Sequence, residues 1–481
     1  MGLIALTLDR IAEVTQAGTT GVLHGTTVTG PVVVDSRAVR PGALFVALRG
    51  DKVDGHDFAG AARAAGAVAV LGSRPMTGVE AERQLLVDGG DSGVVAALAR
   101  LARHVADSLS HTDVVGITGS AGKTTTKDLL AQVLTPRGNT IAPTGSFNNE
   151  IGHPLTVLRA DESTRYVVAE LAARGRGHIA HLTTVSPPRV GVVLNVGTAH
   201  LGEFGSRAAI AAAKGELVEA LPPAQAGGVA VLNADDAAVL GMAERTAARI
   251  VTVGQDPAAM IRGSDVQLDE LGRPSFTLHV GEDHARLQLG LSGAHQVPNA
   301  LAVAGALTAL DPDTDAADCA AALSAAVPVS RSRMDVRTTA DGQTVIDDAY
   351  NANPDSVAAA LATLRTIAGN DRRTLAVLGH MAELGSEHDS EHRRVGHMVA
   401  TARIDELIVV GQQASPIAEA ARAAGMRSVV QVTDAAEAVA ALEKQRGSDG
   451  RRPREAILVK GSRVAGLEHV AEQLNSQGGD Q

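Results

Sequence analysis

The sequence predicts an α/β protein of three domains: a small α/β unit, then two larger, mostly parallel sheets. Three observations predict it. Short apolar runs of strand length alternate with helix-like runs along most of the 481 residues. A chain of this length exceeds what one hydrophobic core organises. One strand-to-helix turn, GITGSAGKTTTK at residues 116–127, concentrates glycines between a hydrophobic run and a helical one.

The opening stretch MGLIALTLDRIAEV reads as an ordinary helix. It has no basic leader, and Asp9 and Arg10 interrupt its apolar run. PVVVDSRAVRPGALFVAL carries two β-like runs around a turn, and FAGAARAAGAVAVLG reads as helix then strand. LVDGGDSGVVAALARLARHVADSL ends in a helix that leads towards the glycine turn, which places a first boundary near residue 110. From 111 to about 328, YVVAEL, RVGVVLNV and GVAVLNADD read as buried parallel strands. Residues 265–291 alternate in polarity and carry glycine turns, so they are antiparallel, and the helix PNALAVAGALTAL follows. From 329 to 481, TVIDDAY, RTLAVLGHM, DELIVVGQQ, SVVQVTD and AILVKGS give five strand–helix pairs and a second doubly wound sheet.

Composition narrows the function classes. With five Phe, two Tyr and no Trp, the cores are filled by Ala, Val and Leu. The same scarcity argues against single-stranded nucleic-acid binding through stacked bases. A net charge of −11 argues against a general nucleic-acid or anionic-membrane surface. Cys319 is the single cysteine, in the helical run DAADCAAAL, and reads as core; no internal disulfide or cysteine metal cluster is available. A reducing, cytoplasmic setting follows. No apolar run reaches the roughly 18 residues a membrane span needs.

The turn at 116–127 carries the most chemistry. Backbone N–H groups and a helix N-terminus converge there, which suits the polyphosphate of a nucleotide. Ile117 stands where a strict phosphate-loop pattern has its first glycine, so Gly119 and Gly122 carry the turn around Ser120 and Ala121. Lys123 reaches for terminal phosphates, the Thr124 hydroxyl suits Mg²⁺, and Thr125 completes the first turn.

Other polar groups sit where strands end, the place ligands occupy in open α/β sheets. Glu170 ends YVVAE, either as a surface carboxylate or as a Mg²⁺ ligand. His200 follows GVVLNV. Lys214 lies in the helical AIAAAKGELVEAL, where a lysine is ordinarily solvated. Asp347, Asp348, Tyr350, Asn351 and Asn353 crowd IDDAYNANPDS, with a helix cap as the alternative role for Asn353. Lys460, Ser462 and Arg463 follow the AILV strand as possible anion donors.

These pieces, in this order, resemble the Mur ligase family of ATP-dependent amide-forming enzymes in peptidoglycan synthesis. The resemblance runs over nearly the whole chain: DSRAVRPGALFVALRGDKVDGHDF, TGSAGKTTTK, TGSFNNEIGHPLTVL, GTAHLGEFGS, AAAKGEL, GAHQVPNALA, SRSRMDV, IDDAYNANPDS, GHMAELG and LVKGSR. NNEIGHP and DDAYNANPDS point to the dipeptide-adding branch. The family likeness implies a UDP-sugar domain over 1–110, an ATP-binding domain with a mostly parallel sheet over 111–328, and a Rossmann-like ligase domain over 329–481. It implies that UDP-N-acetylmuramoyl-tripeptide, D-alanyl-D-alanine and ATP are the substrates, Mg²⁺ the metal, and a monomer the working unit.

The same likeness implies roles. Ser36 and Arg37 hold the UDP end, and Asn148 and Asn149 bind substrate. Residues 119–125 hold the ATP phosphates. Thr124, Glu170, His200 and Lys214 bind metal, Lys214 as a carbamate. His295 and Asn299 lie on the adenine side, Arg333 and Asp347 contact nucleotide at the hinge, and Asn353 and Lys460 face the dipeptide. Lys123, Lys214 and His200 are the catalytic set. The chain departs from the family pattern at His380, at Gln296 and in LAARGRGHI after Glu170. The sister ligase that adds a diamino acid carries a D-N-P-R string, absent here. Folylpolyglutamate synthetase lacks the first domain. A nucleotide-hydrolysing switch is the reading from another class.

Overall fold

The run VVGIT forms a strand, Asp113–Thr118, inside a nine-stranded sheet; this computed structural model describes residues 4–19, 25–50, 52–197, 201–340, 342–444 and 454–476. Strands Thr164–Glu170 and Val190–Val193 flank it, both parallel. The register sets Glu170 opposite Ile117 and Val193 opposite Thr118. Three strand ends thus finish level with the glycine turn, and the helix Lys123–Leu134 (the loop helix) leaves from it. Val229–Asn233, Arg249–Gly254 and Ile261–Leu268 extend the parallel part. Pro274–Val280 and Asp283–Gln288 add antiparallel pairs, as the alternation at 265–291 requires. The helix Gln296–Leu310 is apolar all round and buries twelve of its fifteen residues, the signature of a core helix.

Among the described residues the N-terminal sheet has five short strands, from Gly18–Thr19 to Gln84–Leu86. Its long helix, Gly90–Ser108, also packs on the central domain: Leu98, Leu101 and Val105 share one apolar cluster with Val157, Leu158 and Val167. The opening helix is shorter than the sequence suggests. It spans Leu8–Thr15, because Leu6–Thr7 pair with Thr27–Val28 as a strand and the Thr7 hydroxyl caps the helix by accepting from Arg10 N–H.

The C-terminal sheet has six strands among the described residues. Five are the predicted ones. The sixth, Asp335–Thr338, comes from the SRSRMDV region and pairs antiparallel with Thr344–Asp348 at the sheet edge. Parallel registry then places Asp348 opposite Lys460 on the neighbouring strand Glu455–Lys460. Contacts of this domain with the central one include polar ones over a cleft. Ser146 meets Tyr350, and Arg174 lies 3.9 Å from Glu383. Cys319 is fully buried, and burial pushes its thiol up to about 12. No helix of the described residues is long and apolar enough to cross a membrane.

Candidate active site

Gly122 is the N-cap of the loop helix and has φ +84°, a left-handed conformation that favours glycine. A Cβ there would stand 2.3 Å from Asn299 Oδ1. No side chain caps this helix, so its first-turn N–H groups remain available for an anion. Asn195, just past the strand Val190–Val193, braces the turn. Its Oδ1 accepts from Ser120 and Ala121 N–H at 2.9 Å each, and its Nδ2 donates to Ala121 O at 3.1 Å. Lys123 Nζ donates to Gly119 O at 2.8 Å and folds over the turn.

Glu170 is 2 % exposed, so it is not a surface carboxylate. Thr124 Oγ1 donates to its Oε2 at 2.9 Å, and Asn148 Nδ2 donates to its Oε1 at 2.8 Å. Burial lowers the Lys123 ammonium from its ordinary range, and the Glu170 charge opposes that shift. Lys214 is not solvated either. It is 4 % exposed on the inner face of Arg207–Glu219. Burial first, and the nearby Lys123 charge second, push it well below an ordinary lysine. The shift works against the charged ammonium and in favour of the free amine.

A cleft of about 460 Å³ joins Lys123, Thr124, Asn148 and Glu170 to the C-terminal domain, and Lys214 does not line it. Residues 120–125, Asn148 and Glu170 form one wall; Arg333, Asp348, Asn353 and Lys460 form the other, with His295 and Asn299 between. Asn299 Nδ2 donates to Gln296 Oε1 at 2.8 Å, and Gln296 Nε2 lies 3.1 Å from His295 Nε2. The glutamine that replaces the family's asparagine therefore ties the two adenine-side residues together. The Arg333 guanidinium sits over the Tyr350 ring, 4.2 Å from its centroid. A larger hollow of about 600 Å³ lies behind the loop helix, lined by Lys127, Asp128, Arg331 and Glu468. It lacks the glycine turn, and Arg333 and Tyr350 line both spaces.

Several expected residues sit differently from the likeness. Asn149 Oδ1 accepts from Gly152 N–H at 2.8 Å, holding the entry to the next helix, and does not line the cleft. Asp347 also stands behind the cleft surface. Ser332 Oγ donates to it at 2.9 Å, and burial raises its carboxyl to about 6; its neighbour Asp348 lines the cleft instead. Asn353 lines the cleft but spends its side chain on a capping box with Ser356. Lys460 is 2 % exposed and already engaged by Asp348 and by Asn351 O. Ser36 and Arg37 lie far along the chain on an exposed turn of the N-terminal domain, where Arg37 pairs with Asp35 at 2.7 Å and holds that carboxyl down at about 2. They do not line this cleft. His200 lies outside the described residues. Asn195 and Ser146 were absent from the expected ligand-site set, whereas Tyr350 was among the strand-end groups singled out. NVGTAH after a strand end and SFNNE were the signals available for the two that were missed.

Comparison with known proteins agrees with this geometry. Residues 31–105 match the Mur ligase family, catalytic domain; residues 117–307 the Mur ligase middle domain; and residues 332–463 the Mur ligase, glutamate ligase domain. The UDP-N-acetylmuramoyl-tripeptide–D-alanyl-D-alanine ligase of Mycobacterium tuberculosis is 47 % identical over 510 aligned positions, covering 98 % of both chains. The enzyme of that name from Escherichia coli is 34 % identical and covers 99 % of this chain. Among solved structures, MurF from Acinetobacter baumannii superposes with a TM-score of 0.86 over 99 % of this chain at 29 % identity. MurF ligase from Thermotoga maritima in complex with ADP superposes with a TM-score of 0.77 over 93 % at 29 % identity. Three family models in order along the chain and a relative 47 % identical over 98 % of it show the family: the chain belongs to the Mur ligase family.

Proposed function

We propose that this chain is an ATP-dependent ligase that joins D-alanyl-D-alanine to UDP-N-acetylmuramoyl-tripeptide in peptidoglycan precursor synthesis, in the cytoplasm. The observation that carries the reading is the cleft itself. It sets the uncapped turn at 119–125 opposite strand-end groups of the C-terminal domain, in a chain matched end to end by relatives of that name. In this reading residues 1–110 take the UDP end through Ser36 and Arg37, residues 111–328 hold ATP, and residues 329–481 present the dipeptide.

Amide formation from a carboxylate and an amine needs the carboxyl activated. The tripeptide carboxylate oxygen attacks the γ-phosphorus of ATP. An O–P bond forms, the bond to the bridging oxygen breaks, and ADP leaves. The dipeptide amine then attacks the acyl carbon, loses a proton, and phosphate departs. The first step brings two anions together. The turn's N–H groups and Lys123 offset that repulsion and set the line of transfer. Thr124 Oγ1 and the Glu170 oxygens are hard donors that fit Mg²⁺, which when bound neutralises phosphate charge. His200 and a carbamylated Lys214 would be the further residues to hold such a metal. Burial, which disfavours the Lys214 ammonium, suits condensation of its amine with CO₂ to a carbamate, with loss of one proton, which converts it to an oxygen donor. His295 and Asn299 orient the base, and Arg333 the phosphates. Asn353 and Lys460 frame the dipeptide side.

The test is phosphate release from ATP with UDP-N-acetylmuramoyl-tripeptide and a panel of amine components. Release that requires both the tripeptide and D-alanyl-D-alanine supports the reading. Preference for a free diamino acid points to the sister ligase, and turnover with ATP alone to a hydrolytic switch.

A further inference from the structure

The segment 144–149 touches both sides of the cleft. It follows the strand Asn139–Ile141, and its root is pinned by Lys127 of the loop helix. Lys127, 1 % exposed, donates from Nζ to Pro143 O at 2.8 Å and Gly145 O at 3.1 Å. Past that root, Ser146 Oγ shares a hydrogen bond of 2.6 Å with Tyr350 OH on the C-terminal domain. Two residues on, Asn148 Nδ2 bonds Glu170, whose second oxygen accepts from Thr124. One short loop therefore links a group of the C-terminal domain to the carboxylate beside the phosphate turn.

Tyr350 is well placed to report where its domain stands. Its N–H donates to Ser332 O in the hinge at 3.1 Å, and its ring centroid lies 4.2 Å from the Arg333 guanidinium and 5.8 Å from that of Arg463. The ring direction is thus held by its own domain, and the hydroxyl is the part that crosses the cleft. The N-terminal domain, in contrast, joins the central one through a shared apolar cluster. Small polar contacts of the cleft kind are the ones that open and re-form when domains move.

We propose that Ser146 and Tyr350 form a closure contact, and that docking of the C-terminal domain sets the position of Glu170 through Asn148. Both are positioning residues that act through Glu170, and the proposal rests on the ligase reading above. With the loop held, Asn148 fixes one Glu170 oxygen and leaves the other directed at Thr124. With the contact broken, the loop keeps its Lys127 root but loses its outer support.

The test is a double-mutant cycle in the full-length chain with Tyr350→Phe, Ser146→Ala and the pair. Phenylalanine keeps the ring under Arg333 and removes only the hydroxyl. Each single change is expected to lower kcat for phosphate release about five- to tenfold, the scale of one lost neutral hydrogen bond, with KM for ATP within about twofold. The double variant is expected to be no slower than either single, because both remove one contact. Losses that multiply, or no loss in either single, overturn the proposal.

A second readout needs no turnover. The chain has no Trp and two Tyr, so the emission lost in Tyr350→Phe belongs to Tyr350. Ser146→Ala is expected to change that emission in the ligand-free protein, and an unchanged spectrum overturns the contact. If Lys123→Ala and the substrate panel behave as the ligase reading requires while the cycle is additive, only the coupling falls. If the panel fails, the reading beneath it falls.

Discussion

Two strand-to-helix turns face each other across the cleft, and they end in opposite ways. In the central domain Asp113–Thr118 runs into a helix whose N-cap is Gly122, with no side-chain cap. In the C-terminal domain Thr344–Asp348 leads into Pro354–Ala368, whose N-cap Asn353 forms a capping box with Ser356. The first helix keeps its end N–H groups open to an anion; the second satisfies its own and becomes a fixed wall. One βα unit thus leaves its end donors free for an anion, or closes them off as a scaffold, according to a single N-cap residue. The scaffold side works through side chains instead, Arg333 and the Lys460–Asp348 pair.

The largest expected effect breaks the receptor side. Lys123→Ala removes the charge that the proposed mechanism sets against the transferring phosphoryl and is expected to cost more than about 3 kcal/mol in the transition state, over a hundredfold in kcat/KM. Phosphate-release kinetics check it, and near-parental turnover would remove the turn from the reaction. Lys214→Ala is expected next, with severe loss partly restored by added short-chain carboxylates. Absence of rescue in a variant that melts like the parent would count against the carbamate.

The scaffold side is probed by pH. Burial raises Asp347 from 3.8 to about 6. Between those values the folded chain holds a proton that the unfolded chain has released. Stability from this group is therefore full below about pH 4 and is lost as the pH rises to about 6. Relative to Asp347→Asn, the parent is expected to lose about 1–3 kcal/mol over that window. Denaturant unfolding at stepped pH measures it; a constant difference would show the carboxyl is not held protonated. The smallest effect is Asn353→Ala, expected to lower stability by about 1 kcal/mol through the lost cap while leaving KM for ATP unchanged. Thermal unfolding and ATP kinetics on the same sample separate the two. A change in ATP affinity would mean the capped helix is not merely a wall.

Legibility in the sequence followed chain distance. The turn at 116–127 is contiguous, so its strand, glycines, Lys123 and Thr124 could be read directly. The buried strands YVVAE and AILV were legible because parallel strands covered on both faces are continuously apolar. Glu170 and Lys214 were ambiguous, since a strand-end carboxylate or a helix lysine is ordinarily solvated and only packing shows these two are enclosed. The strand Asp335–Thr338 was missed because a short polar edge strand has no apolar run of its own.

The amino-acid sequence by itself determined the α/β alternation, the three-part order and the phosphate turn, because each depends on residues within about one strand–helix unit. The tertiary structure alone decided that Asn195 braces the turn, that Asp348 rather than Asp347 faces the cleft, that Lys460 arrives already paired, and that Tyr350 reaches Ser146. Those facts depend on sheet register and domain docking, which join residues up to some two hundred positions apart and leave no local pattern in the chain.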